Sequence, residues 1–172
     1  QLMAEGKAYP CFCAPRDADA VMSDLDAGIG RSYDGTCRNR PYNPEELKSR
    51  PHAIRFKIPE HITEVILNDL ILGSIRADRD HLDDYIIIRR DGTPIYNFCV
   101  VVDDIFMNIT HVLRGADHIS NTHKQLLYYK ALGATPPQFA HIPLILGASG
   151  EKLSKRDASV SVEEYRKQGF LP

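Results

Sequence analysis

Hydrophobic and polar positions along the chain fall into short runs of two different periods. Ala53, Phe56 and Ile58 interleave with Arg55 and Lys57, a broken period of two that predicts a strand over 52–58, closed by Pro59. Residues 63–72 and 85–90 predict further strands, and Asp91-Gly92-Thr93-Pro94 predicts a turn. Asn43-Pro44-Glu45-Glu46 has the chemistry of a helix start: Asn as cap, Pro at the first helical position and acids in the first turn. A short helix to about Arg50 should follow. Before it, residues 31–53 are rich in Pro, Asn, Gly and Arg, which suits irregular structure.

From residue 108 the texture changes to strand, helix, strand. Residues 109–113 read as extended. A helix over 121–132, capped by Ser120 or Asn121, pairs Leu127 with Ala131 and Tyr128 with Leu132, then stops at Gly133; 141–146 read as extended again. This is an α/β pattern. The apolar run at 98–102 is too short for periodicity to decide between strand and helix.

Composition narrows the classes. A chain of 172 residues, 43% hydrophobic and 26% charged, can bury a real core and needs no disulfide framework. No apolar run approaches the roughly 20 residues that a membrane span needs. The first residues lack a basic segment followed by an apolar one, so no signal peptide is expected, and the four cysteines are expected reduced, as in the cytoplasm. A start without Met and an end in mid-pattern read as a piece of a longer chain. The net charge is -2, with a pI of about 6.4, so there is no global attraction for nucleic acid. The charge is unevenly placed, however: residues 31–57 carry seven Lys or Arg against three acids, whereas 60–84 carry two against seven. The basic block is either a solvated, salt-bridged surface or a strip that meets a polyanion.

The densest chemical signal is Gly147-Ala148-Ser149-Gly150-Glu151-Lys152-Leu153-Ser154-Lys155-Arg156, a turn after an apolar strand that gathers three cations and a hydroxyl. It is either a solvated loop or a cradle for an anionic substrate whose charge grows in a transition state, above all polyphosphate. Lys152-Leu153-Ser154-Lys155-Arg156 resembles the Lys-Met-Ser-Lys-Ser signature of class I aminoacyl-tRNA synthetases. The segments Tyr33-Asp34-Gly35-Thr36-Cys37-Arg38, Leu82-Asp83-Asp84, Tyr96 to Asp104, Ile109 to Gly115, Asp117-His118, Ser120-Asn121-Thr122, Lys124-Gln125 and Ser161 to Tyr165 sharpen the resemblance to the glutamyl-tRNA synthetase family.

That resemblance implies an α/β fold, the second part of a class I Rossmann catalytic domain with an inserted smaller α+β domain that binds the tRNA acceptor end. The implied division is 1–10 for the end of the first Rossmann segment, 11–82 for the insertion and 83–172 for the second Rossmann segment. It also implies a helix over 96–104. The implied activity is glutamate–tRNA ligase: ATP and Mg²⁺ activate glutamate to glutamyl-adenylate, and glutamate passes to the 3′ end of tRNA(Glu). The implied phosphate loop is Lys152, Leu153, Ser154, Lys155 and Arg156, with Lys155, Lys152 and Ser154 catalytic. Asp117 and His118 are placed beside ATP, although Asp117 also suits a capping role. Tyr96 and Arg114 are placed in the glutamate pocket, where a planar guanidinium can give a carboxylate two aligned bonds; a structural surface pair is the other reading of Arg114. No general base is required, because activation rests on positioning and on positive charge around the leaving pyrophosphate. Arg31, Arg38 and Arg40 in the basic block are expected to meet tRNA.

The sequence departs from the family at Ala116, where Glu is common, at His123, where Pro is common, and at Asp157, where His is frequent. None of its seven His residues sits in a His-x-Gly-His motif, so the chain is expected to be an internal fragment without activity by itself. Cys11-Phe12-Cys13 followed by Cys37 resembles a zinc site, but Asn39, a poor zinc ligand, stands where a His would complete it. Tyr33 could be the fourth ligand, because Tyr-x-x-x-Cys is a ligand pair in a related tRNA-modifying branch; the alternative is a set of reduced thiols. Cys99 is expected in the core. Two other functions stay open: a tRNA-modifying enzyme similar to glutamyl-Q tRNA(Asp) synthetase, and an inactive tRNA-binding fragment. No membrane partner is expected, and the protein is read as a cytoplasmic monomer.

Overall fold

A computed structural model describes residues 1–14, 33–144, 162–167 and 169–170. Its strands form two sheets. In the first, β1 (Ala8–Cys11), β2 (Ala53–Phe56) and β5 (Ile86–Ile88) run antiparallel in the order β1-β2-β5, with Tyr9 opposite Arg55 and Cys11 opposite Ala53. The second has the order β4-β3-β7-β6, built from β3 (Glu64–Asp69), β4 (Gly73–Asp78), β6 (His111–Gly115) and β7 (Gln138–Ile142). β3 and β4 form an antiparallel hairpin, while β7 lies parallel to both β3 and β6. The first sheet draws strands from both sides of the divisions expected near residues 10 and 82, and the second from both sides of the one near 82.

Helix α1 (Pro44–Ser49) starts as its sequence predicts, with the Asn43 side chain accepting the Glu46 N–H at 2.7 Å. α2 (Tyr96–Phe106) includes the ambiguous 98–102 run and resolves it as helix. One buried face, with Val101 fully enclosed, makes helix the better use of that run. α3 (Ile119–Leu132) crosses over between the parallel strands β6 and β7, as a parallel pair requires. It begins earlier than predicted, after a 3-10 turn at Ala116–His118, and neither Ser120 nor Asn121 caps it: the capping position is His118, without a side-chain cap bond. Gly133 does end it, at φ 71°, a left-handed conformation that glycine adopts freely. A last short helix, α4, spans Val162–Lys167.

Two strand predictions shift, and two strands, β1 and β4, are new. β6 starts two residues later than expected and β7 three residues earlier. β4 is absent from the sequence reading because its burial alternates only weakly and its residues are largely exposed. One apolar cluster joins the two sheets, drawing Phe56 and Ile87 from the first, Leu67 and Phe139 from the second, and Val101, Leu127, Tyr128 and Tyr129 from the helices. The ring of Tyr128 meets Phe56 and Phe98 edge-on at 5.0 and 5.7 Å.

Candidate functional site

Arg114 lies on β6, beside His141 on β7, in a register that puts both side chains on the face covered by α3. The helix turns unusual residues toward them. Thr122 and Gln125 are at most 1% exposed, and a helix that buries amides and hydroxyls must satisfy them. Arg114 does so: its Nη2 donates to Thr122 Oγ1 at 2.6 Å and to Gln125 Oε1 at 2.7 Å, and its Nε donates to His141 Nε2 at 3.2 Å. Gln125 Nε2 then donates to Asn97 Oδ1 at 3.0 Å, Asn97 Nδ2 to Asn121 Oδ1 at 3.2 Å, and Asn121 Nδ2 approaches His118 Nδ1 at 3.1 Å. One directional chain therefore runs from the guanidinium to His118.

Thr122, Gln125, Asn97 and Asn121 bring no charge to that inner set. Among the described residues no carboxylate lies within ion-pair distance of Arg114, and its half-burial pushes the guanidinium pKa down, opposed by the nearby Tyr96 and Asp104. A cation that is desolvated without a counter-ion favours an anionic ligand. Tyr96, at the start of α2, is exposed, and its ring lies 6.4 Å from that of His118. Asp117, on the turn before α3, folds its carboxylate back over Gly115: a Cβ on that glycine would lie 2.5 Å from Asp117 Oδ1. The expected Tyr96, Arg114, Asp117 and His118 thus belong to β6, the turn after it and the adjoining end of α2. Lys152, Leu153, Ser154, Lys155 and Arg156, like Asp157 and Arg31, lie outside the described residues.

Five members of this site were given no role from sequence: Asp69, Asn97, Thr122, Gln125 and His141. Asp69, 6% exposed at the end of β3, accepts N–H groups from Ile71, Leu72 and His141, and its Oδ2 lies 2.6 Å from His141 Nδ1. Burial alone would raise the Asp69 pKa, but these donors outweigh it and hold the carboxyl well below its ordinary value. His123, one of the departures noted above, is buried with Nε2 at 3.3 Å from the Ile75 carbonyl, tying α3 to β4.

A second cluster forms where β1 leaves its sheet. The Sγ atoms of Cys11, Cys13 and Cys37 all lie within 4.8 Å of one another, with Cys13 and Cys37 at 3.5 Å. Tyr33 Oη is 3.7 Å from Cys11 Sγ and accepts the Cys37 N–H at 2.8 Å. Sulfurs of a tetrahedral zinc centre with bonds of ~2.3 Å stand about 3.8 Å apart, so the residues fit that metal. Burial pushes the Cys11 thiol up, but Arg55, the Cys13 backbone and Tyr33 together draw it down. Cys13 is pushed up to about 11, by burial and then by its neighbouring thiols. Asn39 is not part of the cluster; it accepts from Lys57 at 3.0 Å. Cys99 is only half-buried rather than enclosed in the core.

In the basic block, Arg38 has partners within the fold. Its guanidinium turns inward, pairing with buried Asp84 and donating to the Ile58 carbonyl at 2.6 Å, and is thereby engaged within the fold. Arg40 stays at the surface, paired with Glu46 at 2.6 Å, with its Cζ 4.8 Å from the centroid of the Phe12 ring. Exposed Lys48, Arg50, Arg89 and Arg90 line a shallow groove beside α1 together with His52, and no acid is among its described lining residues.

A parallel strand pair crossed over by α3, with an arginine on one strand that has no ion-pair partner among the described residues, makes an α/β domain with a place for an anionic group. The chain belongs to the family of class I tRNA synthetases (E and Q), catalytic domain, whose family model matches residues 1–172. It is 49% identical over 176 residues to the glutamate–tRNA ligase of Aquifex aeolicus (strain VF5), and 50% identical over 173 residues to that of Trichlorobacter lovleyi, covering all of this chain in both cases. It spans little more than a third of those relatives, 37% and 36% of their lengths. The crystal structure of a glutamate tRNA ligase from Elizabethkingia meningosepticum in complex with its amino acid matches 98% of this chain, with a TM-score of 0.74 and 34% identity, over 34% of that chain. The resemblance read from the motifs and the α/β class are both borne out. No helix among the described residues is long and apolar enough to cross a membrane.

Proposed function

We propose that this chain supplies part of the catalytic domain of a glutamate–tRNA ligase, which joins glutamate to AMP at the expense of ATP and passes it to the 3′ end of tRNA(Glu). The observation that carries this reading is Arg114, a half-buried cation held by Thr122, Gln125 and His141 with no carboxylate in reach among the described residues. The side-chain carboxylate of glutamate supplies the missing charge, and Tyr96 lines the same opening. Fixing the substrate there leaves its α-carboxylate to attack the α-phosphate of ATP in line, with pyrophosphate leaving. Asp117 and His118 bind the nucleotide side, and Lys152, Leu153, Ser154, Lys155 and Arg156 stabilise the phosphates, Lys155 foremost. Mg²⁺ neutralises charge on the phosphates when bound.

The finer assignments follow the same reading. Residues 11–82 form the insertion that receives the tRNA acceptor end, between Rossmann segments at 1–10 and 83–172. Arg31 and Arg40 contact that end together with the groove of Lys48, Arg50, Arg89 and Arg90, while Arg38 braces the surface through Asp84. Cys11, Cys13, Cys37 and Tyr33 hold a structural zinc. The enzyme is a cytoplasmic monomer.

The test is aminoacylation of tRNA(Glu) by the full-length protein. Arg114→Gln should raise the KM for glutamate at least tenfold while leaving that for ATP within twofold. Equal charging of tRNA with glutamine or aspartate by the unaltered enzyme, or an unchanged glutamate KM in the variant, would refute the reading.

A further inference from the structure

Arginine has a flexible stem and loses considerable side-chain entropy when it is fixed in one pose. Around Arg114 that pose is set before any ligand arrives. Three of its five N–H groups are committed: the Nε–H to His141, and the two on Nη2 to Thr122 and Gln125. The Nη1 group makes none of these bonds. Of the three acceptors, two stand on α3 and only His141 stands on the sheet.

His141 can accept from Arg114 only if Nε2 carries a lone pair, which requires the proton on Nδ1. Asp69 imposes that tautomer. Its Oδ2 lies 2.6 Å from Nδ1, and the same carboxylate takes the His141 backbone N–H through both oxygens at 3.0 and 3.1 Å. It is itself fixed by the Ile71 and Leu72 amides at the turn after β3, both at 3.0 Å. His141 is fully buried, so no solvent competes for either nitrogen. Thr122 Oγ1 lies 3.0 Å from both His141 Nε2 and the His118 carbonyl, so its single hydrogen reaches only one of them, and the Arg114 Nε–H is the fixed donor to Nε2. The arrangement also solves an electrostatic problem. A carboxylate in direct contact with Arg114 would neutralise it and compete with an anionic ligand, whereas an interposed imidazole transmits the orientation without closing the ion pair.

We propose that His141, locked by Asp69 in its Nδ1–H tautomer, is a positioning residue that aims the free edge of Arg114 at the side-chain carboxylate of the amino-acid substrate. This rests on the reading of Arg114 as the glutamate-binding cation. In the full-length enzyme, His141→Asn keeps a donor for Asp69 but removes the acceptor for Arg114. It should raise the KM for L-glutamate about tenfold or more, with the KM for ATP within twofold. His141→Gln, which can offer an oxygen near the Nε2 position, should recover most of that loss. Parallel shifts in both KM values, or an unchanged glutamate KM in a folded His141→Asn protein, would overturn the proposal. The Arg114→Gln control separates the two levels: if it raises the glutamate KM and His141→Asn does not, only the positioning role fails. If Arg114→Gln has no effect, the glutamate-pocket reading fails and this inference goes with it. Independently of any variant, ¹⁵N NMR of the unaltered protein should show Nδ1 of His141 protonated and Nε2 bare; protonation of Nε2 alone would overturn the proposal.

Discussion

Arg38, from the cationic stretch, and Asp84, from the acidic one, form an ion pair in which the Asp84 side chain is only 5% exposed. The two opposite charge blocks of the sequence therefore meet inside the molecule. Asp84 also accepts the Tyr9 hydroxyl at 2.8 Å and the Ile58 N–H at 3.0 Å, so one carboxylate ties β1 and the end of β2 to the segment that carries Cys37. Replacing Asp84 by Asn leaves a largely buried guanidinium without its carboxylate, and the expected loss is about 3 kcal/mol of unfolding free energy in urea titration. A loss below ~1 kcal/mol would show that the pair contributes little.

The thiol cluster should bind about one equivalent of zinc in protein purified without chelator, measured by elemental analysis. Cys13→Ser and Cys37→Ser should each reduce this to near zero, because a structural centre seldom survives loss of a thiolate. Tyr33→Phe should weaken binding while leaving the three thiolates able to hold the ion. Metal-free protein in all four samples would remove the site.

Asp69 gives the fold a pH dependence of definite sign. Its pKa is lowered in the folded state, so its contribution is fully present above the ordinary carboxylate value of about 4 and is lost as pH falls from there toward the lower folded value. Unfolding free energy should decline on acidification below about pH 4, and Asp69→Asn should flatten that decline while lowering stability at pH 7. An identical acid limb in the variant would refute this assignment.

Tyr128 is fully enclosed, yet its hydroxyl has no hydrogen-bond partner among the described residues, an arrangement that costs about 1–3 kcal/mol. Tyr128→Phe keeps the edge-on contacts with Phe56 and Phe98 and removes the unsatisfied group, so it should stabilise the protein by about 1 kcal/mol. A destabilised variant would reveal a partner for the hydroxyl.

Local chemistry made much of this fold legible. The Asn43 cap, the Gly133 stop and the alternation through Phe56 each act within a few residues, and each appears where expected. The Arg114 site was legible only in part, because the arginine and tyrosine sit in recognisable motifs whereas their supports do not. Asp69 and His141 are separated by 72 positions, and only the β3–β7 pairing brings them together. A lone Asp before a turn and a lone His in an apolar strand carry no periodic signal of that kind. The same reasoning explains Arg38: a basic block suggests a surface, but one of its members finds a carboxylate 46 positions away.

The pairing of β3 with β7 also sets an order of events during synthesis. The β3–β4 hairpin can close locally as soon as Asp78 has emerged, but the end of β3 at Asp69 keeps an unpaired edge until Phe139 of β7 follows some sixty residues later. At roughly 5–20 residues per second, that edge waits for several seconds. A nascent protein at this stage is open to strand capture by its neighbours, so the interval before Ile142 leaves the ribosome is when a folding helper would matter most.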